Sequence, residues 1–364
     1  MPSNTISRVD EKLAGKIDEL AMASFGQSPI VTAVVTTSHH LELIAWTVAT
    51  SGLLTRIGHH EGAEASGIDC AFLTEQRVIA AYQGHNGHLE VHAYHLDPAA
   101  TPIFTKLAHE GGPTASFVKL VGIDDERFAS LIVRPTSAAH LTIWRYHSHA
   151  LESLGRVEWP ITFDGAPEPI ELAIVCTDLN HLVTCVGGPG GLEFRYWDIS
   201  DPAAPTFWSP DNAGGGEFVN ALCLDYPLVV IATNRGNMNL DLWKRDDYGH
   251  WSVVSSHAGP QLGNTPALSL IEANFLGPWF ASASRDLDEI FWVQLWEVDD
   301  AFKLHLRATQ VDSENGATIV AAANSARGMV TGMKIYDEVP DPGDPEDQLR
   351  VKSWTFAGPG LSVL

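Results

Sequence analysis

Apolar and polar residues alternate with period two along most of the chain, and one six-residue version of that alternation returns seven times. An apolar residue is followed by a second two positions on and by a large aromatic five positions after the first. The copies are LELIAW at 41–46, LEVHAY at 89–94, LTIWRY at 141–146 and LEFRYW at 192–197, then MNLDLW at 238–243, FWVQLW at 291–296 and LRVKSW at 349–354. Their closing aromatics stand 48, 52, 51, 46, 53 and 58 residues apart. In an extended chain this pattern sends Leu41 and Leu43 to one face and Glu42, Ile44 and Trp46 to the other. It predicts a strand packed on both sides, with an aromatic wedge on one of them.

The same order surrounds each copy. A short apolar strand and a tight turn come first, as in SFVKLVGIDDERFASLIVRP at 116–135, and a last strand such as LESLGRVEW at 151–159 follows. Four strands in about fifty residues, with turn residues between them and little helical periodicity, form a propeller-blade pattern. Over nearly its whole length the chain resembles the seven-bladed β-propellers. That resemblance implies an all-β fold with four antiparallel strands per blade. One segment, WDISDPAAPTF at 197–207, is similar to a step of LVIVD-type propeller repeats, whereas the WD and GH pairs of WD40 blades do not recur in register.

The expected domain is a single propeller over 17–364, divided near 17–60, 61–110, 111–160, 161–212, 213–260, 261–312 and 313–364, with residues 1–16 as an N-terminal extension. KIDELAMA at 16–23 reads as the inner strand of the first blade. A competing reading is an amphipathic helix through Ile6, Val9, Leu13, Ile17 and Leu20. GLSVL at 360–364 reads as the outer strand of the last blade, so that no strand is exchanged between the termini. Residues 1–10 are then frayed or laid along the rim.

With strands a to d running from axis to rim, the b–c and d–a connections share one face. TTSHH at 36–40, GHNGH at 84–88, SAAH at 137–140, RGN at 235–237 and RDLDE at 285–289 fall in b–c positions. HHEG at 59–62, HEGG at 109–112, DNAGGG at 211–216 and HAGP at 257–260 fall in d–a positions. Nine of the sixteen histidines thereby gather on one face: His39, His40, His59, His60, His85, His88, His109, His140 and His257.

Composition narrows the partners. Lys plus Arg total 22 against 45 Asp plus Glu, a net charge of −23, which repels a phosphate backbone or an anionic membrane. Apolar residues make up 45%, which excludes disorder over the whole chain. No apolar run approaches the roughly 18 residues of a membrane span, and the N-terminus lacks the apolar core of a secretory signal. Cys70, Cys176, Cys185 and Cys223 show no CxxC spacing and read as reduced core residues. A cytoplasmic location is the expectation.

Histidines near a funnel suit proton transfer, and His85 with His60 is the expected acid–base pair. Arg134, Arg235 and Arg285 at the lip are expected to hold an anionic group of a small ligand. His40, His88, His109, His257 and Tyr82 complete the candidate binding set. For His60, His109 and His257, recurrence in register fits a loop-forming consensus better than a catalytic role, and Tyr82 fits a packed core residue. Without sharp ligand spacing no cofactor is expected, and a single divalent metal is the lesser alternative. YDEVPDPGDPED at 336–347 is the longest insertion and reads as an acidic loop over the same face. These features point to a small-molecule-binding propeller, foremost a cofactor-independent lyase, cyclase or hydrolase. A protein-interaction scaffold and a carbohydrate-binding lectin are the alternatives.

Overall fold

The computed structural model describes residues 4–358 except 27–28, 136–137, 162–170, 189–190, 210–215, 217–218, 226, 235–236, 262–266, 271–277, 289, 313–316, 326–327 and 336–347. The described residues form strands and no helix, so no helix among them is long and apolar enough to cross a membrane.

The first seven strands are β1 (Thr5–Ala23), β2 (Ile30–Thr36), β3 (His40–Val48), β4 (Leu54–Thr74), β5 (Arg77–Gly84), β6 (His88–Leu96) and β7 (Phe104–Thr114). Next come β8 (Phe117–Gly122), β9 (Arg127–Arg134), β10 (Ala138–His147) and β11 (Ala150–Pro160). They are followed by β12 (Glu171–Asp178), β13 (His181–Gly188), β14 (Gly191–Asp198) and β15 (Thr206–Trp208). Then come β16 (Val219–Asp225), β17 (Leu228–Asn234), β18 (Asn237–Arg245) and β19 (Trp251–Gln261). The last are β20 (Ala267–Leu270), β21 (Trp279–Arg285), β22 (Phe291–Val298), β23 (Leu304–Asp312), β24 (Ala317–Ser325), β25 (Gly328–Ile335) and β26 (Gln348–Ala357).

From β8 to β23 these make four separate four-stranded antiparallel sheets, an arrangement compatible with a propeller. The other ten form one sheet in the order β24-β25-β26-β1-β2-β3-β4-β5-β6-β7. That sheet is continuous because two long strands each serve two neighbours. Strand β1 pairs with β26 through Thr5 to Lys16 and with β2 through Ile17 to Ala23. Strand β4 pairs with β3 up to Glu64 and with β5 from Ala65. A bulge between Ser66 and Asp69 turns it, with Gly67 in the left-handed region at φ +57°.

The N-terminal segment is therefore not an extension, frayed or otherwise. Residues 5–16 add a fourth strand beside β26, so the two ends of the chain are joined by a strand ladder. Pairing explains why the helical spacing of Ile6, Leu13 and Ile17 misleads: the register shifts between Arg8 and Asp10 and between Ala14 and Lys16, and each shift inverts which residues face inward. The strand reading of 17–23 holds. GLSVL at 360–364 lies outside the described residues, as does the insertion at 336–347.

The strands at the inner edges touch in sequence, β1 to β4, β8, β12, β16, β20 and β24, and β24 returns to β1. Between neighbouring sheets lie apolar layers in which each unit's large aromatic is buried, Trp46, Trp144, Trp197, Trp296 and Trp354 among them. The joints between units fall near residues 65 and 115, four residues beyond the expected limits. HHEG, HEGG and HAGP belong to the outer strands β4, β7 and β19, not to connecting loops. Their recurrent glycine has a packing cause. A Cβ on Gly62 would come within 2.9 Å of Leu41, on Gly112 within 2.9 Å of Leu89, and on Gly259 within 2.6 Å of Met238.

Candidate functional site

The inner edges surround a cavity of about 630 Å³, and its wall is built from corresponding positions of successive units. The register shows the correspondence. On the second strand of each unit, Ile30, Val78, Phe128, Leu182, Val229, Phe280 and Met329 face the seven recurrent aromatics, except that the third faces Trp144 rather than Tyr146. Three residues on, the second strand pairs inward with Ala21, Asp69, Lys119, Ala173, Asn220, Ala267 and Ala321. These form one tier of the wall. Four are alanines, and the polar three belong to units two, three and five.

One alternation nearer the face of the β2–β3 and β5–β6 turns, the wall carries Glu19, Phe117, Glu171 and Ile319. That face also holds the joints between units, as expected: Ala65 N donates to His39 O and Ala115 N to Gly87 O. Among the described lining residues, charged side chains stand only on β1, β4, β8 and β12, with Asn220 on β16, and those of β20 and β24 are apolar.

Backbone donors fix two of the carboxylates. Ile68 N donates to Glu19 Oε2 at 3.1 Å and Leu120 N to Asp69 Oδ2 at 2.7 Å, each across the gap to the next inner strand. Free N–H groups on an inner edge explain the pairing, because buried amides require acceptors. Burial pushes the Asp69 carboxyl above the usual carboxylate range, outweighing Lys119 and the backbone donors. Burial alone would lower the Lys119 pKa, but attraction from Asp69, Glu171 and Glu19 holds it above the ordinary lysine value. Lys119 thus favours the ammonium form. Among the described residues no carboxylate lies within 4.0 Å of it.

The residues singled out from sequence lie elsewhere. His85 is exposed and pairs with Glu64 at 2.9 Å, beyond the end of β5. His60 packs against Tyr94, 5.1 Å between ring centroids, and Tyr94 pairs with Val78 at the start of β5. The expected acid–base pair is therefore separated: His60, on β4, packs on the Tyr94 that pairs with the start of β5, and His85 follows the end of β5. Burial, with Lys106 nearby, lowers the His60 pKa. His109 sits on β7 with its ring 5.8 Å from His92, and His257 on β19 meets Trp296 edge-on at 4.8 Å. The register also places His59, not His60, in the position that His109 occupies in the next unit. His40 and His88 approach the backbone carbonyls of Ser38 and Gly112.

Arg134 and His140 are brought together, both on Glu158, at 3.2 and 2.7 Å. Arg285 ends β21 outside the cavity lining, and Arg235 lies outside the described residues. Tyr82 is buried and does not face the cavity. Its hydroxyl is 3.1 Å from His92 Nε2, and His92 Nδ1 is 3.1 Å from the Tyr94 hydroxyl. Burial drives this chain neutral: His92 falls to about 3 and Tyr82 rises to about 12. Among the described residues no three His, Cys, Asp or Glu side chains are grouped to hold a metal ion.

Glu19, Asp69, Lys119, Glu171 and Asn220 were not singled out from the sequence. Each sits in an ordinary strand pattern, and only the lateral alignment of inner strands unites them. No known family model matches the chain, and no curated protein matches it either.

Proposed function

We propose that the chain closes into a seven-bladed β-propeller that binds a small polar ligand in its axial cavity. Seven four-strand units, three of them joined in one sheet by two shared strands, and inner strands that touch in a closed cycle support the ring. The observation that carries the ligand is Lys119: an ammonium in a cavity wall, drawn by three carboxylates and closely paired with none of the described ones. A cavity of this volume suits a metabolite-sized molecule. If the ligand is also transformed, Asp69 is the group in the wall suited to exchange a proton, since its burial favours the protonated acid. The histidines stand away from the cavity and have no part in this reading.

The test fills the cavity. Ala321→Phe places a ring into the apolar side of the Lys119 tier, away from the charged sector. A screen of metabolite-sized compounds by thermal shift is expected to find ligands that raise Tm by several degrees in the parent protein and not in the filled variant. Compounds that act equally on both, or no ligand at all, would overturn the proposal.

A further inference from the structure

The charges in the cavity wall have a fixed distribution, and it bears on ligand class. Glu19 on β1 and Asp69 on β4 lie to one side of Lys119 on β8, and Glu171 on β12 lies to the other. Glu19 and Asp69 are held by backbone N–H donors from the next inner strand, so their oxygens keep their places whether or not a ligand is bound. Asp69 is 9% exposed and lines the cavity, where its protonated carboxyl offers a hydrogen bond and Glu19 beside it a negative charge.

A purely anionic ligand could pair with Lys119 only by approaching carboxylates on both sides. A purely cationic ligand could approach Glu19 but would leave the Lys119 ammonium close to a second positive charge. A molecule with one charge of each sign meets both demands: its carboxylate reaches the β8 sector and its ammonium the neighbouring β1–β4 sector. Phe117, one step nearer the face and 40% exposed, offers an aromatic surface beside them.

We propose that the axial cavity selects small zwitterions, molecules carrying both an ammonium and a carboxylate, over singly charged ligands of either sign. This rests on the cavity being a ligand site, and it replaces the arginine-anchored anion expected from sequence.

The probes are two matched triplets in which only charge changes: phenylalanine, phenethylamine and N-acetylphenylalanine, and 4-aminobutyrate, butylamine and butyrate. Affinities are read by saturation-transfer NMR against the parent protein, Lys119→Met, Lys119→Arg and Ala321→Phe. In at least one triplet the zwitterion should bind at least about fivefold more tightly than both partners, the scale of one ion pair. Lys119→Met should abolish its advantage over the amine, Lys119→Arg should retain it, and Ala321→Phe should abolish binding.

A singly charged member that binds as tightly as the zwitterion in both triplets, with that binding lost in Ala321→Phe, overturns the charge selection and leaves the cavity as a ligand site. An unchanged preference in Lys119→Met, if that variant keeps the parent Tm, likewise overturns it. If no probe binds at millimolar concentration while the metabolite screen gives cavity ligands, the zwitterion proposal falls alone. If that screen also fails, both fall.

Discussion

The indole Nε1 of Trp46 donates to Thr32 Oγ1 at 2.9 Å, between neighbouring strands in the fully buried layer of the first unit. The same bond recurs as Trp144 to Ser130, Trp197 to Thr184, Trp296 to Ser282 and Trp354 to Thr331, at 2.8 to 3.0 Å. The aromatic repeat is thus half of a two-residue device. A buried indole N–H left without an acceptor costs roughly 1–3 kcal/mol, and the hydroxyl two residues into the second strand supplies that acceptor.

Thr32→Val keeps the shape and removes the acceptor, so it should lower stability by about 1–3 kcal/mol. Ser130→Ala in a separate unit should act to a similar degree, and the two losses should add. Urea denaturation of the single and double variants provides the measurement. A neutral Thr32→Val would show that the bond contributes nothing net. The fifth unit is a natural control: Ile231 occupies the acceptor position, and Trp243 Nε1 is buried without a hydrogen-bond partner.

At the seam between the chain's ends, Lys352 is wholly buried and lies 3.0 Å from Asp312, which also pairs with Arg8 at 3.1 Å; Glu11 meets Arg350 at 3.2 Å. Removing Asp312 takes the nearest carboxylate from the buried Lys352 and leaves it Glu11 at 3.8 Å. Asp312→Ala is therefore expected to destabilise by about 3–5 kcal/mol, and Asp312→Leu with Lys352→Met by much less. Equal losses from the two would mean that packing, not charge, holds the seam.

His92 is held neutral by folding, with its pKa pushed down to about 3. The unfolded chain keeps an ordinary imidazole, titrating near pH 6.5. As pH falls below that value the unfolded state binds the extra proton, so stability declines by up to roughly 1.4 kcal/mol per pH unit until the folded pKa is reached. Above about pH 7 the group contributes no slope. His92→Phe should flatten the stability profile between pH 6 and pH 4 relative to the parent. Parallel profiles would contradict the neutral imidazole.

His85 and Glu64 are both exposed, at 81% and 52%. His85→Ala should change stability by less than about 1 kcal/mol and leave ligand binding in the axial cavity unaltered. Calorimetric titration with any cavity ligand checks the second point, and a lost site would return His85 to the functional set.

Period-two alternation and the recurrent aromatic determined the strands, the four-strand unit and the layers between units, because each of these follows from burying one apolar face at a time along a local stretch of chain. The same pattern placed the β2–β3 and β5–β6 turns, whereas HHEG, HEGG and HAGP, expected in connections, lie in outer strands. It did not reveal the ladder between β1 and β26, since bulges at Arg8–Asp10 and Ala14–Lys16 break the period-two alternation. Nor did it reveal the site. His60 and His109 look like chemistry-bearing residues in register, yet strand pairing aligns His109 with His59, and the recurrent element is the glycine that packs under Leu41 and Leu89. Asp69 and Lys119 lie some fifty residues apart on separate inner strands. Which side chains share a tier depends on how those strands align across the axis, and that alignment is set by the packing of whole sheets, a relationship no local run of residues encodes.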